Sequence, residues 1–169
     1  MKIAVRLAGL AVIAAAVVWL VGVFFPSPEK IIRKRLAETA DAASFAAGQS
    51  YFSKLAGAQR LAGLFASNAA VNIEIPGHEQ RQWTGREDIL QAALAARASL
   101  DRVKVTFPDI SLTVDPGKES ATADLAAEAR ISGDDSLYVQ ELKFTFQKIG
   151  GDWLITQVQT VQTLQKPGQ

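Results

Sequence analysis

Val103-Lys104-Val105-Thr106-Phe107-Pro108-Asp109-Ile110-Ser111-Leu112-Thr113-Val114 is the stretch on which the fold turns. Val103, Val105 and Phe107 share one parity, Ile110, Leu112 and Val114 the other, and Pro108-Asp109 stands between them. Successive side chains of a strand point to opposite faces, so one extra residue at a proline bends the strand and swaps its faces. The pattern therefore predicts a long strand bent by a bulge. Period two continues beyond it. After a turn at Asp115-Pro116-Gly117-Lys118, residues Ala121, Ala123, Leu125, Ala127, Ala129 and Ile131 alternate with Thr122, Asp124, Glu128 and Arg130. Gly133-Asp134-Asp135 turns the chain again, and Gln140, Leu142, Phe144 and Phe146 oppose Glu141, Lys143, Thr145 and Gln147. Gly150-Gly151-Asp152 then opens a last strand from Trp153 to about Thr163.

Upstream the period is helical. Ser27 is placed to cap a helix whose first position is Pro28, where a missing N–H costs nothing. Ile31, Ile32, Leu36, Ala40 and Ala43 follow at three- and four-residue spacing. Past Gly48-Gln49-Ser50, the residues Tyr51, Leu55, Ala58, Ala62 and Phe65 predict a second helix ended by Ser67-Asn68. Val71, Ile73 and Ile75 alternate with Asn72 and Glu74 as a short strand stopped by Pro76-Gly77. Thr84-Gly85-Arg86-Glu87 has the form of a capping box and predicts a third helix, with Ile89, Leu90, Ala93, Leu94 and Leu100 on its apolar face.

This order, with three landmarks, resembles the nuclear transport factor 2-like superfamily, which includes SnoaL-like and ketosteroid-isomerase-like domains. The landmarks are Leu64-Phe65-Ala66-Ser67-Asn68-Ala69, Thr84-Gly85-Arg86-Glu87-Asp88-Ile89 and Gly150-Gly151-Asp152-Trp153-Leu154-Ile155. The resemblance implies an α+β cone in which a strongly bent antiparallel sheet wraps three N-terminal helices and opens at its wide end. It implies no single activity, because the fold hosts isomerases, dehydratases, cyclases, carrier subunits and non-catalytic assembly modules.

In front of this domain, Leu7 to Phe25 are nineteen residues without a charge, preceded by Lys2 and Arg6 and closed by Pro26-Ser27-Pro28. As a helix they would reach about 28 Å, close to the hydrocarbon thickness of a bilayer. The expected organisation is a transmembrane signal anchor in residues 1–27, the domain in 28–165 and a flexible tail in 166–169. A cleaved secretory signal competes with the anchor, but Val23-Phe24-Phe25 offers no small residues before a cut, and cleavage after Ala14-Ala15-Ala16 would leave an apolar terminus. Lys30, Arg33, Lys34 and Arg35 behind the span nearly balance Lys2 and Arg6 before it. A short N-terminal stub held in the cytoplasm gives a single-pass protein of the bacterial inner membrane with a periplasmic domain. The rival orientation keeps the basic cluster inside, against anionic headgroups; a solvated helix face is the plainer account of the cluster.

Composition removes several functions. Sixteen of the eighteen bases and all seventeen acids follow Phe25, so the domain is one charge negative, which argues against a nucleic-acid surface. The absence of cysteine excludes disulfides, thiolate metal sites and a cysteine nucleophile. With one histidine and no tight carboxylate cluster, neither a metal nor another cofactor is expected.

The inward parity is mostly Ala, Leu and Phe. Gln140 and Tyr138 share it on one strand, and Gln157 and Gln159 continue the parity of Trp153 and Ile155 on the last. Amides orient a ligand by hydrogen bonds but abstract no proton, so Gln140, Gln157, Gln159 and Tyr138 are ligand-binding candidates, with solvated rim positions the plain alternative. An enzymatic reading, of the isomerase or dehydratase kind, would use Glu74, His78 and Tyr138 inside the cone. A lone loop histidine, a strand glutamate of polar parity and a packing tyrosine account for those residues equally simply. Asp109 at the bend has an adequate turn role. The reading preferred is a membrane-tethered, non-catalytic binding or assembly module that engages a protein partner or small apolar ligand through the cone or the outer sheet face. A homodimer through the sheet is a further expectation, resting on an outward Val158, Val161 or Thr160. Ala4, Ala8, Ala11 and Ala15 would permit close packing of the anchor.

Overall fold

The computed structural model describes residues 27–74, 80–132 and 137–161. The expected span at 7–25, His78, the turn at 133–135 and the tail at 166–169 lie outside them. Among the described residues no helix is long and apolar enough to cross a membrane.

Helix α1 (Pro28–Ala43) starts as its sequence predicts, with Ser27 Oγ accepting from the Lys30 amide at 3.4 Å. It buries Ile32 and Leu36 completely. Helix α2 (Tyr51–Ala62) is capped by Ser50, whose hydroxyl accepts from the Ser53 amide at 3.2 Å. This helix is shorter than its apolar spacing suggests. Phe65 begins strand β1 (Phe65–Ile73), and Ser67-Asn68, expected to stop a helix, lie inside that strand. The register of β1 against the last strand jumps from Phe65↔Ile155 to Ala70↔Gln157, so the polar pair occupies an irregular stretch where several residues face few. Tyr51, expected on the apolar side of α2, is 73% exposed.

Strand β2 (Arg81–Thr84) was not legible, since Trp83 is its one large apolar residue. Helix α3 (Gly85–Ser99) follows without the expected capping box. The Thr84 hydroxyl makes no cap bond, and Asp88 rather than Glu87 accepts from the Thr84 amide, at 3.2 Å. Gly85 has φ +84, which delays the helical turn by a residue and brings Asp88 to the place expected for Glu87. Arg86 turns back instead, its Nε and Nη2 donating to the Phe65 carbonyl at 3.0 and 2.6 Å and fixing α3 to the start of β1.

With β3 (Val103–Thr106), β4 (Ile110–Val114), β5 (Ser120–Ile131), β6 (Leu137–Ile149) and β7 (Asp152–Thr160), the sheet runs β2-β1-β7-β6-β5-β3, with β4 also on β5. Every pair is antiparallel except β1 with β7, a parallel pair that the expected all-antiparallel sheet did not contain. Strands β3 and β4 both pair with β5. The register steps from Thr106↔Glu128 to Ile110↔Leu125, so residues 107–109 face only 126 and 127. That is the one-residue bulge that the parity switch predicted.

The small residues of β5 make room for the large ones of β6: Ala123 sits opposite Phe144 and Ala121 opposite Phe146, all four buried. Burying each phenylalanine contributes roughly 1.5–3 kcal/mol. A second bulge lies in β7, where Phe146 pairs with Ile155 but Thr145 with Gln157. The Thr156 hydroxyl donates to the Thr145 carbonyl across it, at 3.3 Å. The extra residue swaps the faces of β7, so Val158 is buried opposite Phe144 while Gln157 and Gln159 share the face of Thr145 and Lys143. This corrects two expectations. Gln157 and Gln159 do not continue the inward parity of Trp153 and Ile155, and Val158 belongs to the core rather than to an outer, pairing face.

Candidate functional site

Three places in the described residues gather polar side chains. At one end of the sheet, Gln140 lies on the Leu142 face, and its Nε2 donates to Thr160 Oγ1 at 2.9 Å and to the Glu74 carbonyl. The Glu74 amide donates to the same threonine oxygen at 3.0 Å. Gln140 thus ties the ends of β1, β6 and β7 together, with its amide donors committed inside the protein. Glu74 lines a concavity of about 280 Å³ with Asn72, Gln80, Gln159 and Thr160. Gln159 Oε1 accepts from Gln157 Nε2 at 3.0 Å on the outer face. Tyr138, which shares the parity of Gln140, is 47% exposed between the exposed Leu137 and Val139. Of the residues named for catalysis, Glu74 and Tyr138 are therefore described and His78 is not.

The second place is a groove of about 670 Å³ across β4, β5, β6 and the end of β7. The bulge builds it. Ala126 N donates to the Asp109 carbonyl at 3.2 Å, and Val161 N donates to the Glu141 carbonyl at 2.9 Å, which draws the four segments into one line. Asp109, Ser111, Asp124 and Glu141 bring polar groups to the groove, beside Ile110, Leu125, Leu142 and Val161. Asp124 pairs with Lys143 at 3.5 Å, and both side chains are partly exposed. Among the described residues no cluster of three His, Asp or Glu is arranged to hold a metal ion. Asp109 reads in the sequence as a bend residue. The other three were missed, although Ser111↔Asp124 and Ala126↔Glu141 follow from the pairing of strands that the sequence did predict.

The third place is where α1, α2 and α3 meet, around a residue that no sequence expectation singled out. Arg97 is 3% exposed. Its Nη2 donates to the Ala42 carbonyl at 2.5 Å and its Nη1 to Gln49 Oε1 at 3.1 Å, and its guanidinium carbon lies 4.8 Å from the centre of the Phe45 ring. Burial, and after it the charge of Arg60, hold this guanidinium below the usual arginine range. A signal was available: Arg97 is spaced four residues from Ala93 and eight from Ile89, on the buried stripe of α3.

No family model matches the chain, and no curated protein sequence matches it. Solved structures do. A protein of unknown function with a cystatin-like fold from Nostoc punctiforme aligns with TM-score 0.58 at 16% identity, over 81% of this chain and 93% of that one. An NTF2-like protein of unknown function from Pseudomonas putida gives 0.59 at 10% identity, over 76% and 82%. An NTF2-like protein with a cystatin-like fold from Novosphingobium aromaticivorans gives 0.57 at 17% identity, over 87% and 86%. At these identities the likeness shows the fold alone: three helices against a curved sheet, the NTF2-like, cystatin-like arrangement that the landmarks implied.

Proposed function

We propose that the chain is a membrane-tethered, non-catalytic binding module. Residues 7–25 form its single transmembrane helix, the domain sits on the periplasmic side of a bacterial inner membrane, and a protein partner docks on the sheet. The groove between Asp109 and Val161 is the observation that carries this reading. It offers carboxylates beside the half-buried Ile110 and Val161, which suits a partner segment that alternates basic and apolar residues. The inward face, in contrast, is filled by Phe144, Phe146, Trp153 and Ile155, and the amide that faces the Glu74 end is spent on tying strands.

The test is recovery of a partner with the full chain from its own membrane, for the unaltered protein and for Asp124→Lys. Asp124 is partly exposed opposite Lys143, so the reversal sets two lysines against each other at a cost of about 1 kcal/mol or less, and an unchanged circular dichroism spectrum serves as the check that the fold is kept. The reading expects about a tenfold loss of the recovered partner, the scale set by removing one charge pair from an interface. Equal recovery from both proteins would sink it. A turnover abolished by Glu74→Gln and by Tyr138→Phe would replace it with the isomerase or dehydratase reading.

A further inference from the structure

Arg97 and Arg60 line the same pocket of about 300 Å³, together with Asp41, Ser44, Gln49, Ser53 and Gly57. Among the described residues neither arginine has a carboxylate within ion-pair distance. A buried guanidinium without an anion is an expensive arrangement. The carbonyl of Ala42, the amide of Gln49 and the ring of Phe45 satisfy donors and polarise favourably, yet none of them cancels the charge. Arg60 adds a second cation from α2, where Ser53, Gly57 and Arg60 share a helical face by their spacing of four and three. Gly57 provides the space, since a Cβ there would stand 2.7 Å from Arg97 Cζ. Asp41 is the one acid of the lining, so two guanidinium groups face a single carboxylate.

We propose that this pocket binds an oxyanion, the carboxylate or phosphate group of a small solute, between the guanidinium groups of Arg97 and Arg60. Planar guanidinium forks suit either group, and charge-assisted hydrogen bonds give such contacts their strength. The site shares no lining residue with the sheet groove, so it stands or falls independently of the docking proposal.

The full chain, in detergent micelles and labelled with 15N-arginine, is titrated with inorganic phosphate and with acetate, each against chloride at matched ionic strength. The Nε–Hε resonance of Arg97 is expected to shift saturably. Arg60→Gln, an exposed change that removes a repulsion on Arg97 and so does not lower the thermal midpoint in chloride, is expected to weaken binding at least fivefold. Saturation by phosphate alone assigns a phosphate ligand, and saturation by acetate as well assigns a carboxylate. Phosphatidylglycerol vesicles that shift Arg97 where neither free anion does would make a lipid headgroup the source of the phosphate. No saturable shift with any of the three probes, or an unchanged midpoint of titration in Arg60→Gln, overturns the proposal.

Discussion

The guanidinium of Arg97 passes directly over Gly57, so close that a Cβ at position 57 would lie 2.7 Å from its central carbon. Glycine inside a helix costs about 1 kcal/mol relative to alanine, and here that cost is the condition for α3 to dock an arginine against α2. Gly57→Ala regains the helix propensity but pushes Arg97 off the Ala42 carbonyl and Gln49, and hydrogen bonds from a charged donor are worth about 1.5–3 kcal/mol each. The expected net result is a loss of about 2 kcal/mol or more in denaturant unfolding, where an exposed helical glycine would have shown a gain.

The matching of alanine to phenylalanine across β5 and β6 makes a prediction of the opposite kind. Ala123 is fully buried opposite Phe144. Ala123→Leu adds volume where the sheet has none to give, and overpacking of this sort costs about 1–3 kcal/mol. A lowered urea midpoint with unchanged slope would be the signature.

The bulge at Thr156 is tested by charge placed on either side of it. Val158→Asp puts an unpaired carboxylate into the core and is expected to cost about 3 kcal/mol or more. Gln157→Lys and Gln159→Lys, on the outer face, are expected to stay within about 0.5 kcal/mol of the unaltered protein. Were β7 regular, Gln157 and Gln159 would be the intolerant positions and Val158 the tolerant one.

The bend is tested by shortening it. Removing Asp109 deletes the extra residue between Thr106 and Ile110, so that residues 107 and 108 face 127 and 126, Ile110, Leu112 and Val114 keep their inward face, and the strand loses its bend. A lowered thermal midpoint with the transition still cooperative is the expected outcome, whereas Asp109→Asn, which keeps the residue count and the bulge, is expected to leave the midpoint nearly unchanged.

What could be read from the sequence follows from where its signals are local. The bend at Pro108 announces itself because a proline coincides with a change of parity, and the Ser27 cap because side chain, proline and apolar stripe fall in order. The start of β1 does not, because Leu61, Leu64 and Phe65 keep helical spacing while the chain has already turned, and Ser67-Asn68 imitate a helix end. The β7 bulge carries no glycine or proline, so Gln157 and Gln159 were placed on the wrong face by counting alone. Arg97 was passed over because a charge on a helix ordinarily marks the solvent side, and only the packing of α2 against α3 shows this one enclosed. The groove was half legible. Its strands and Asp109 could be read, but its shape depends on the bulge geometry that draws Asp109, Ala126, Glu141 and Val161 into line.

A protein partner seated in that groove is within reach of a photo-crosslinking side chain at position 111 of the full chain, in its own membrane. Ser111 lines the groove, while Lys148 lies exposed at the far end of β6 and serves as the control position. One discrete protein adduct is expected from position 111 and none from 148. No adduct from 111, or the same adducts from both positions, would contradict it.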